Sequence, residues 1–583
     1  MKEFVWDLSV LFKNYEDFYI VIKNIKRQLL KISDYKEVDL GADNLLEILD
    51  LKWHLKQMAN NVLIYASLNY YEDINSKETI LMKTKAEQLL NDVDFSLGFI
   101  DEKIIEIGKE KIKLFIGANE GLEKYKQYFD NLFRKCEHIQ SEMINREIEK
   151  RKNNINEFLT RYNNIISSIN YGLIIVDGKE VELKQSNIAK YSSSRDRVTR
   201  RDTYMAINGA FIDAAQELSG LLHSIYDNRV NICKLEKYDS VLDKALFEEN
   251  IDSMILDNLI ESVHSNLPLM QDYLNLKVKY LNILEPHLYD YSVPVDNNEK
   301  RKYTLSMAME IIKEALKPLG EKYLNIVNYL IDNGHIDAIL NEKRHQSITF
   351  SWDVYSFLNY KEAYIDLKNL IHELGHIVNA HLSKSQPFIY EDSTVFVGET
   401  ASLVNEILLN RYLYDMATSE AERLYYLSLN IENYFVQVFK QTMYTEFENV
   451  LYKEVFDDRE FDCDFLNEKY MELIKLYYGD STMYDDCSKV EWTRLGHLFR
   501  WNYYVYKYAT GLIIAGNVVN LLVDKKILTQ EKYLEFLSMG SSEYSLDLLN
   551  NIGIDLTNSK VIDESFSVLK KDIENFKKLI YYG

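Results

Sequence analysis

The sequence predicts a mainly α-helical protein. Its 583 residues include only 5 Pro and 20 Gly, and no proline precedes Pro268, so few positions interrupt a helix. Apolar residues recur at three- and four-residue steps over long stretches, which is the spacing of amphipathic helices. A chain of this length can form two or more lobes with separate hydrophobic cores.

The N-terminal third predicts a lobe of long helices packed side by side. Helical spacing runs from residue 16 to about residue 168. The sequence LIIVDGKEVEL at residues 173–183 then places Asp177-Gly178 between two short β-prone runs, which predicts a hairpin with a type I′ turn. We therefore divide the chain into an N-terminal helical lobe with a short hairpin near its end, residues 1–193, and a second domain, residues 194–583.

The second domain predicts further helices and one strand. Residues 196–333 again show helical spacing, and we expect prolines 268, 286, 294 and 318 to mark helix ends or starts. The sequence SITFSWDVY at residues 347–355 is rich in β-branched and aromatic side chains, which predicts a strand. Helical spacing returns to the end of the chain, where residues 559–582 predict a last helix.

The helix that follows this strand carries the chemistry. Residues 366–382 read DLKNLIHELGHIVNAHL, with apolar residues at helical spacing. His372 and His376 are four positions apart, so both imidazoles can point at one ion from the same helix face. Glu373 can reach a water molecule bound to that ion, and H-E-x-x-H is typical of zinc metallopeptidases. The alternative is a helix with two histidines facing the core and a solvated glutamate.

A catalytic zinc site needs a third protein ligand and one open position. Residues 395–410 read VFVGETASLVNEILLN and predict a second amphipathic helix. We choose Glu399 as the third ligand, because the small residues Gly398, Ala401 and Ser402 let the two helices approach closely. Glu406, seven positions later on the same face, is a candidate partner for the free ring N–H of a ligating histidine. Glu391 and Asp392 are ranked below Glu399 as ligands.

The segment GHLFRWNYYVYKYATG, residues 496–511, is a second candidate region. A lone histidine among tyrosines at helical spacing is usually part of a core. Imidazole and phenol groups are nevertheless the donors that an oxyanion beside zinc requires. If the zinc site exists, His497 and at least one of Tyr503, Tyr504 and Tyr506 are candidates for that role.

Charge and cysteine content exclude several classes of protein. The formal net charge of −23 repels phosphate backbones, so nucleic acid is not an expected partner, whereas a neutral or cationic peptide meets no such repulsion. The four cysteines form no C-x-x-C pair, which argues against a disulfide scaffold or a thiolate zinc site and favours a reducing cytoplasm.

Neither a signal peptide nor a membrane span is expected. The sequence MKEFVWDLSVLFKN lacks a basic start followed by an apolar core. The longest apolar run, residues 511–523, is interrupted by Asn517 and Asn520 and falls short of a bilayer span. We expect a cytoplasmic protein without a membrane partner, and no feature of the sequence sets its oligomeric state.

Taken in order, three motifs resemble the oligoendopeptidase F and thimet oligopeptidase family of zinc peptidases, most of all its bacterial oligoendopeptidase F branch. They are IHELGH at 371–376, FVGETASLVNE at 396–406 and HLFRWNYYVYKYATG at 497–511. Weaker similarities extend the resemblance from about residue 190 to the end of the chain, and the N-terminal third fits only as a helical lobe of the right length. These weaker similarities are SRDRVTRRDTYMA at 194–206, LKPLGEKY at 316–323 and GSSEYSLDLLNNIGIDLT at 540–557.

The resemblance implies two largely helical lobes that enclose a deep channel, with a small β-sheet beside a gluzincin-type zinc helix. The narrow channel would restrict substrates to short unstructured peptides. One zinc ion per chain would be held by His372, His376 and Glu399, and residues 194–583 would form the catalytic domain. Glu373 would be the catalytic carboxylate, and the oxyanion donors would be His497 and Tyr506, together with Tyr503.

The sequence departs from the family at two places. Family members often carry a Gly-Ala pair in the strand before the zinc helix, after a Lys-Arg, but here Lys343-Arg344 is followed by HQSI. The contacts of the strand edge with substrate therefore differ. A further histidine, often found three residues past the second ligand, is Asn379 here.

The expected function is that of a zinc endopeptidase, in which Glu373 activates a zinc-bound water to hydrolyse internal bonds of oligopeptides. A carboxypeptidase could use the same site if a fixed cation held the terminal carboxylate, and Arg494 and Arg500 are available. A third possibility is a peptide-binding protein without catalytic activity.

Overall fold

The computed structural model describes residues 4–295, 301–345 and 348–582, and helices make up 74% of it. The mainly α prediction is confirmed. Six helices form the N-terminal third: α1 (Tyr15–Ile32), α2 (Ala42–Glu72), α3 (Lys77–Ile107), α4 (Lys109–Ala118), α5 (Lys126–Lys135) and α6 (Glu142–Ser168).

The predicted hairpin follows these helices. Strands β1 (Leu173–Val176) and β2 (Lys179–Glu182) pair antiparallel around Asp177 and Gly178. Both turn residues have positive φ, +50° and +74°. A type I′ turn requires this conformation at both central positions, so the turn prediction is confirmed.

Six further helices lead to the region of the candidate site: α7 (Ile188–Ser192), α8 (Arg197–Leu235), α9 (Val241–Glu249), α10 (Met254–Tyr280), α11 (Leu305–Ala315) and α12 (Glu321–Asp332). One expectation is wrong, because Pro268 lies inside α10 instead of marking a helix end. Burial of the neighbouring Val263, Leu267 and Met270 holds the helix together across the proline. Tertiary packing here outweighs a local breaker.

A small three-stranded sheet precedes the HExxH helix. It contains β3 (Ile336–Asp337), β4 (Phe350–Trp352) and β5 (Tyr355–Phe357), in the order β3-β5-β4. The strand predicted over residues 347–355 is in fact a tight hairpin, since the chain turns at Asp353, whose φ is +52°. Ser347 itself lies outside the described residues. Within the described part of the chain, β4 pairs on one side only and forms an edge of the sheet.

The remaining chain is helical, as expected. The helices are α13 (Tyr364–Ser383), α14 (Val395–Met416), α15 (Glu420–Tyr434), α16 (Gln441–Phe456), α17 (Cys463–Tyr478), α18 (Gly496–Arg500), α19 (Tyr506–Val519), α20 (Gln530–Ser538), α21 (Ser545–Asn551) and α22 (Ser559–Tyr582). Among the described residues, one helical stretch is long and apolar enough to cross a membrane, by length and composition alone. This stretch is Tyr506–Asp524, with 19 residues and a mean hydropathy of 1.2. Its most apolar window is 67% buried within the protein, as in a core helix.

The chain folds into two compact units, each assembled from three segments. The first contains Met1–Ile139, Arg301–Leu409 and Val519–Gly553, and the second contains Gln140–Lys300, Asn410–Val518 and Ile554–Gly583. These units do not share the single division after residue 193 that the sequence predicts. Helices α1 to α5 belong to the first unit together with segments from much later in the chain, whereas α6 belongs to the second unit. That residues 194–583 act as a catalytic domain stays a prediction.

Candidate metal centre

The HExxH helix, α13, is fixed in the first unit by a capped start and a buried apolar face. At its start, the Asp366 carboxylate accepts hydrogen bonds from the backbone N–H groups of Ala363 (2.8 Å) and Lys361 (3.1 Å). Leu367, Leu370, Leu374 and Val378, at helical spacing, are completely buried, as the apolar pattern predicts. Burial of this face aims the opposite, polar face of α13 at the candidate site.

Near its other end, α13 is held by α20 and α14. The side-chain amide of Asn379 donates to the carbonyl of Leu537 on α20, at 2.8 Å. Asn405 on α14 donates to the carbonyl of Ile371 at 3.1 Å and accepts a hydrogen bond from the Tyr323 hydroxyl at 2.9 Å. Asn379, which departs from the family pattern, therefore serves here as a packing contact.

Helices α13 and α14 meet at Gly375. A Cβ atom on this glycine would lie 2.5 Å from the Cα of Ser402 and 2.9 Å from the carbonyl carbon of Ala401, which are impossible distances. Ala401 and Ser402 thus allow the close approach expected of small residues. Gly398 does not contribute, because a Cβ there would meet nothing closer than 3.8 Å.

The approach of the two helices brings the three predicted ligands together. One donor atom from each of His372, His376 and Glu399 lies within 4.8 Å of the other two. The two imidazole Nε2 atoms are 3.1 Å apart. Glu391 and Asp392, the lower-ranked alternatives, are not part of this group.

The orientation of His372 is set by Glu406, as predicted. Nδ1 of His372 lies 2.7 Å from Oε1 of Glu406, and the other carboxylate oxygen forms a salt bridge with Lys368 Nζ at 3.0 Å. Burial alone would raise the pKa of the Glu406 carboxyl, but the neighbouring Lys368 and His372 lower it by more. The pKa of this carboxyl therefore lies below its ordinary value. An ionised Glu406 accepts a hydrogen bond from the Nδ1–H group of His372, which leaves the Nε2 lone pair of that histidine free.

The donor set fits a divalent zinc ion. Nitrogen and oxygen ligands of tetrahedral zinc lie about 2 Å from the metal and therefore roughly 3.4 Å from each other. The two imidazole nitrogens are close to that spacing, at 3.1 Å, and the Glu399 carboxylate lies within 4.8 Å of both. Burial, assisted by the neighbouring His372, lowers the pKa of His376 to about 3. His376 is thus neutral at physiological pH, and its Nε2 lies 3.1 Å from that of His372, so the two ring nitrogens are placed to share one cation.

Glu373 lies next to this group and is only 6% exposed. Burial raises the pKa of its carboxyl, which His372 and a hydrogen bond from Ser351 partly offset. The Ser351 hydroxyl on β4 donates to one carboxylate oxygen of Glu373. The Glu373 carboxylate thus lies beside the donor group with its basicity increased by burial.

The other predicted residues lie in the second unit. His497, on α18, is partly exposed, and burial lowers its pKa. Tyr503 and Tyr506 are 3% and 1% exposed, and the Tyr506 hydroxyl is buried without a hydrogen-bond partner in the described part of the chain. The tyrosines that contact His497 are Tyr508, whose hydroxyl is 3.4 Å from Nε2, and Tyr504, whose ring stacks on the imidazole.

Comparison with known proteins places the chain in a family. A sequence profile described as Peptidase family M3 matches residues 190–568, well over half of the chain, including every candidate site residue. The chain belongs to Peptidase family M3. Membership of this family makes the protein a peptidase.

Relatives of this M3 peptidase match along almost its whole length. It is 27% identical to oligopeptidase PepF of Bacillus subtilis, over 99% of this chain and 87% of that protein. It is 28% identical to an oligoendopeptidase F homologue of Borreliella burgdorferi, over 98% of each. The resemblance inferred from the motifs is therefore confirmed.

Solved structures share the fold. A crystal structure of a Chlamydophila abortus protein superposes with a TM-score of 0.87 at 24% identity, covering 99% of this chain and 98% of that one. Oligoendopeptidase F from Enterococcus faecium superposes with a TM-score of 0.74 at 22% identity, covering 97% of this chain and 99% of that one. The likeness extends through the N-terminal third, where the sequence showed no motif.

Sequence reasoning missed two contacts of the M3 site. Lys368 precedes His372 by one helical turn, so the i, i+4 spacing could have indicated that both meet Glu406. Ser351 gave no signal, because only the folded sheet brings this strand residue to Glu373. Helical spacing could not have separated Tyr504 and Tyr508 from the buried Tyr503 and Tyr506, because Tyr503 and Tyr504 lie before the start of α19.

The contact at Gly375 makes a specific prediction. Gly375→Ala forces a methyl group into the backbone of α14, so we expect Tm to fall by several degrees, since such overpacking costs about 1–3 kcal/mol. Glu399 lies three residues from the clash, so the zinc content of the purified protein should fall as well. Gly398→Ala is the matched control, and thermal melting with metal analysis checks both variants. Equal behaviour of the two would show that the helices are not in close contact at Gly375.

Proposed function

We propose that the protein is a zinc-dependent endopeptidase that hydrolyses internal bonds of short unstructured oligopeptides. The observation that carries the proposal is the convergence of His372, His376 and Glu399 beside a buried Glu373. The names of its relatives, oligopeptidase and oligoendopeptidase F, support the substrate class.

His372, His376 and Glu399 would hold one zinc ion per chain. The ion, when bound, supplies a Lewis acid that polarises a carbonyl and lowers the pKa of a water molecule. Glu406 keeps the Nε2 lone pair of His372 available for this ion, and Lys368 balances the negative charge of Glu406. The supporting observations are the contact between Glu406 and Nδ1 of His372 and the 3.1 Å separation of the two imidazole Nε2 atoms.

Glu373 would be the general base and acid. Its carboxylate takes a proton from the attacking water and passes it to the leaving amine. Burial favours uptake of the proton, because a carboxylate whose pKa is raised above its ordinary value is a stronger base. Ser351 holds the carboxylate while this occurs.

The proposal also includes side chains that would stabilise the oxyanion, because the family resemblance implies them. His497, Tyr506 and Tyr503 are the residues that the motif implies, and the burial of both tyrosines counts against a direct contact with substrate in this conformation. Tyr508 and Tyr504, beside His497, are the accessible alternatives. A deep channel between two lobes is likewise implied by the resemblance.

The substrate peptide would dock along the edge of the sheet formed by strand β4. Strand β4 carries unpaired backbone groups along one side, at least among the described residues, and its Ser351 contacts the proposed base. An extended peptide can add to such an edge through backbone hydrogen bonds. A net charge of −23 favours neutral or cationic peptides and disfavours nucleic acid.

The carboxypeptidase alternative finds no support in the two arginines. Arg494 pairs with Glu491 at 3.5 Å, and Arg500 donates to Asn163 at 2.8 Å while covering the ring of Tyr162. Both guanidinium groups are engaged within the second unit. The proposal includes a cytoplasmic location, which the four free cysteines of the described chain favour.

One digestion experiment tests the proposal. A mixture of peptides of varied length, each acetylated at the N-terminus and amidated at the C-terminus, is incubated with the protein and analysed by mass spectrometry. We expect internal cleavage that a zinc chelator abolishes and added zinc restores. Removal of single residues from matched peptides with a free C-terminus, without cleavage of blocked ones, would identify a carboxypeptidase. Binding without cleavage would identify a peptide-binding protein.

A further inference from the structure

The two oxygens of the Glu373 carboxylate have different surroundings. Oε2 accepts a hydrogen bond from the Ser351 hydroxyl, and Ser351 also lies 3.3 Å from the backbone carbonyl of Glu373. Oε1 has no hydrogen-bond partner in the described part of the chain. One oxygen is therefore held by the protein, and the other is left to exchange a proton.

Ser351 is itself supported by a second hydroxyl. Its Oγ lies 2.8 Å from Oγ of Ser356, the residue directly opposite on β5. Ser356 is buried, and its backbone N–H donates to the carbonyl of His335 at 2.9 Å. The position of Ser356 is thus set by the sheet.

The direction of this hydrogen-bond chain follows from the charge at its end. An ionised carboxylate can only accept, so the Ser351 proton points to Glu373. The lone pairs of Ser351 then face Ser356, which donates its own proton. The order is Ser356 to Ser351 to Glu373, and each bond polarises the next.

A glutamate at this position needs such a contact. Successive residues on a helix are turned by about 100°, so Glu373 leaves α13 in a different direction from His372 and must fold back toward the donor group. Its flexible side chain has several rotamers, of which few place the carboxylate beside the imidazoles. A hydrogen bond from outside the helix selects among them.

We propose that Ser351 is a positioning residue, which fixes the Glu373 carboxylate with one oxygen held and the other directed to the reacting water, and that Ser356 locks Ser351 in place. The proposal rests on the function proposed above. It also links the base to β4, the edge strand where a peptide would add, so that the strand contacting substrate also orients the base. Glu373 is the catalytic residue, and both serines act through it.

A purely structural role is the competing explanation. A buried carboxylate requires a donor whether or not it takes part in catalysis. Removing such a donor would destabilise the site as a whole and would affect substrate binding, metal content and turnover together. A positioning role affects turnover specifically, because the ground-state binding of peptide and metal does not depend on the Glu373 rotamer.

The kinetic test uses Ser351→Ala, Ser351→Thr and Ser356→Ala. We expect Ser351→Ala to lower kcat about tenfold or more with KM and zinc content within about twofold of wild type, since small misplacements of a reacting group are costly. Ser351→Thr keeps the hydroxyl and should restore most of kcat, and Ser356→Ala should lie between. Ser385→Ala is the matched control, because the hydroxyl of this exposed serine, just beyond α13, contacts only the Leu382 carbonyl among the described residues.

A stability cycle on the zinc-free protein tests the contact independently of activity. Tm is measured for wild type, Ser351→Ala, Glu373→Ala and the double variant. If the Ser351 hydroxyl contacts the Glu373 carboxylate, the change in Tm of the double variant differs from the sum of the two single changes. We expect this difference to be about 1–3 °C. Additive effects would overturn the contact.

The remaining outcomes are separable. An active, chelator-sensitive wild type with Ser351→Ala unchanged in kcat would overturn the positioning role and leave the peptidase proposal standing. Parallel losses of kcat, peptide binding and zinc, with no rescue by threonine, would show a structural role only. A wild type without peptidase activity would overturn the proposed function itself.

Discussion

Replacing Glu373 by glutamine is expected to abolish nearly all peptidase activity while leaving zinc bound. Glutamine has the shape of glutamate but cannot take up a proton, and general acid–base catalysis contributes about 10²–10⁴-fold. Ser351 can still donate to the amide oxygen of the glutamine, so the site should keep its geometry. Turnover of an internally quenched peptide and the zinc content of the same preparation are the two measurements.

The control for this variant is Glu535→Gln, on the exposed side of α20. It makes the same chemical change in the same compact unit and should cleave the peptide as wild type does. Wild-type turnover by Glu373→Gln would show that another group takes the proton. Loss of zinc from Glu373→Gln would instead show that this residue is a ligand.

Replacing Glu399 by alanine is expected to have an effect of similar size by a different route. Loss of the third ligand leaves two imidazoles, so zinc affinity should fall by more than about 100-fold, exceeding the 10–100-fold typical of an outer-shell change. Peptidase activity should be lost at zinc concentrations that saturate wild type and recover in part with excess zinc. Zinc titration against a coloured chelator measures the affinity.

The matched comparison is Glu391→Ala. Glu391 is an acidic residue shortly before Glu399 in sequence, and it lies outside the donor group. This variant should retain zinc. If Glu391→Ala lost the metal and Glu399→Ala kept it, the third ligand would have been assigned to the wrong carboxylate.

The sequence could predict the convergence of His372, His376 and Glu399 because its parts are local. His372, Glu373 and His376 lie within two turns of one helix, where spacing alone determines which side chains share a face. Glu399 and Glu406 required only that a second helix cross the first, and the small residues Ala401 and Ser402 of the second helix indicated where. The positions of these side chains therefore followed from helix spacing and one helix crossing.

Long-range features could not be predicted in the same way. Ser351 meets Glu373 because a hairpin turn at Asp353 folds the strand back, a fact absent from any spacing pattern. Tyr503 and Tyr506 were chosen by residue type, but which tyrosines of that segment are buried is decided by packing on distant helices. The division after residue 193 failed to match the compact units because those units are built from separated segments.

The segmented construction of the first unit has a consequence for synthesis on the ribosome. Helix α13 is translated before its partner α20, and the Leu537 carbonyl that accepts from Asn379 emerges more than 150 residues later. The N-terminal helices of the same unit are synthesised earlier still, before either α13 or α20 is available for packing. The unit that carries the candidate metal centre therefore lacks part of its packing until residue 537 has been synthesised. If the proposed zinc site exists, we expect zinc to be acquired late, and a nascent chain stopped before residue 530 should lack a stable site.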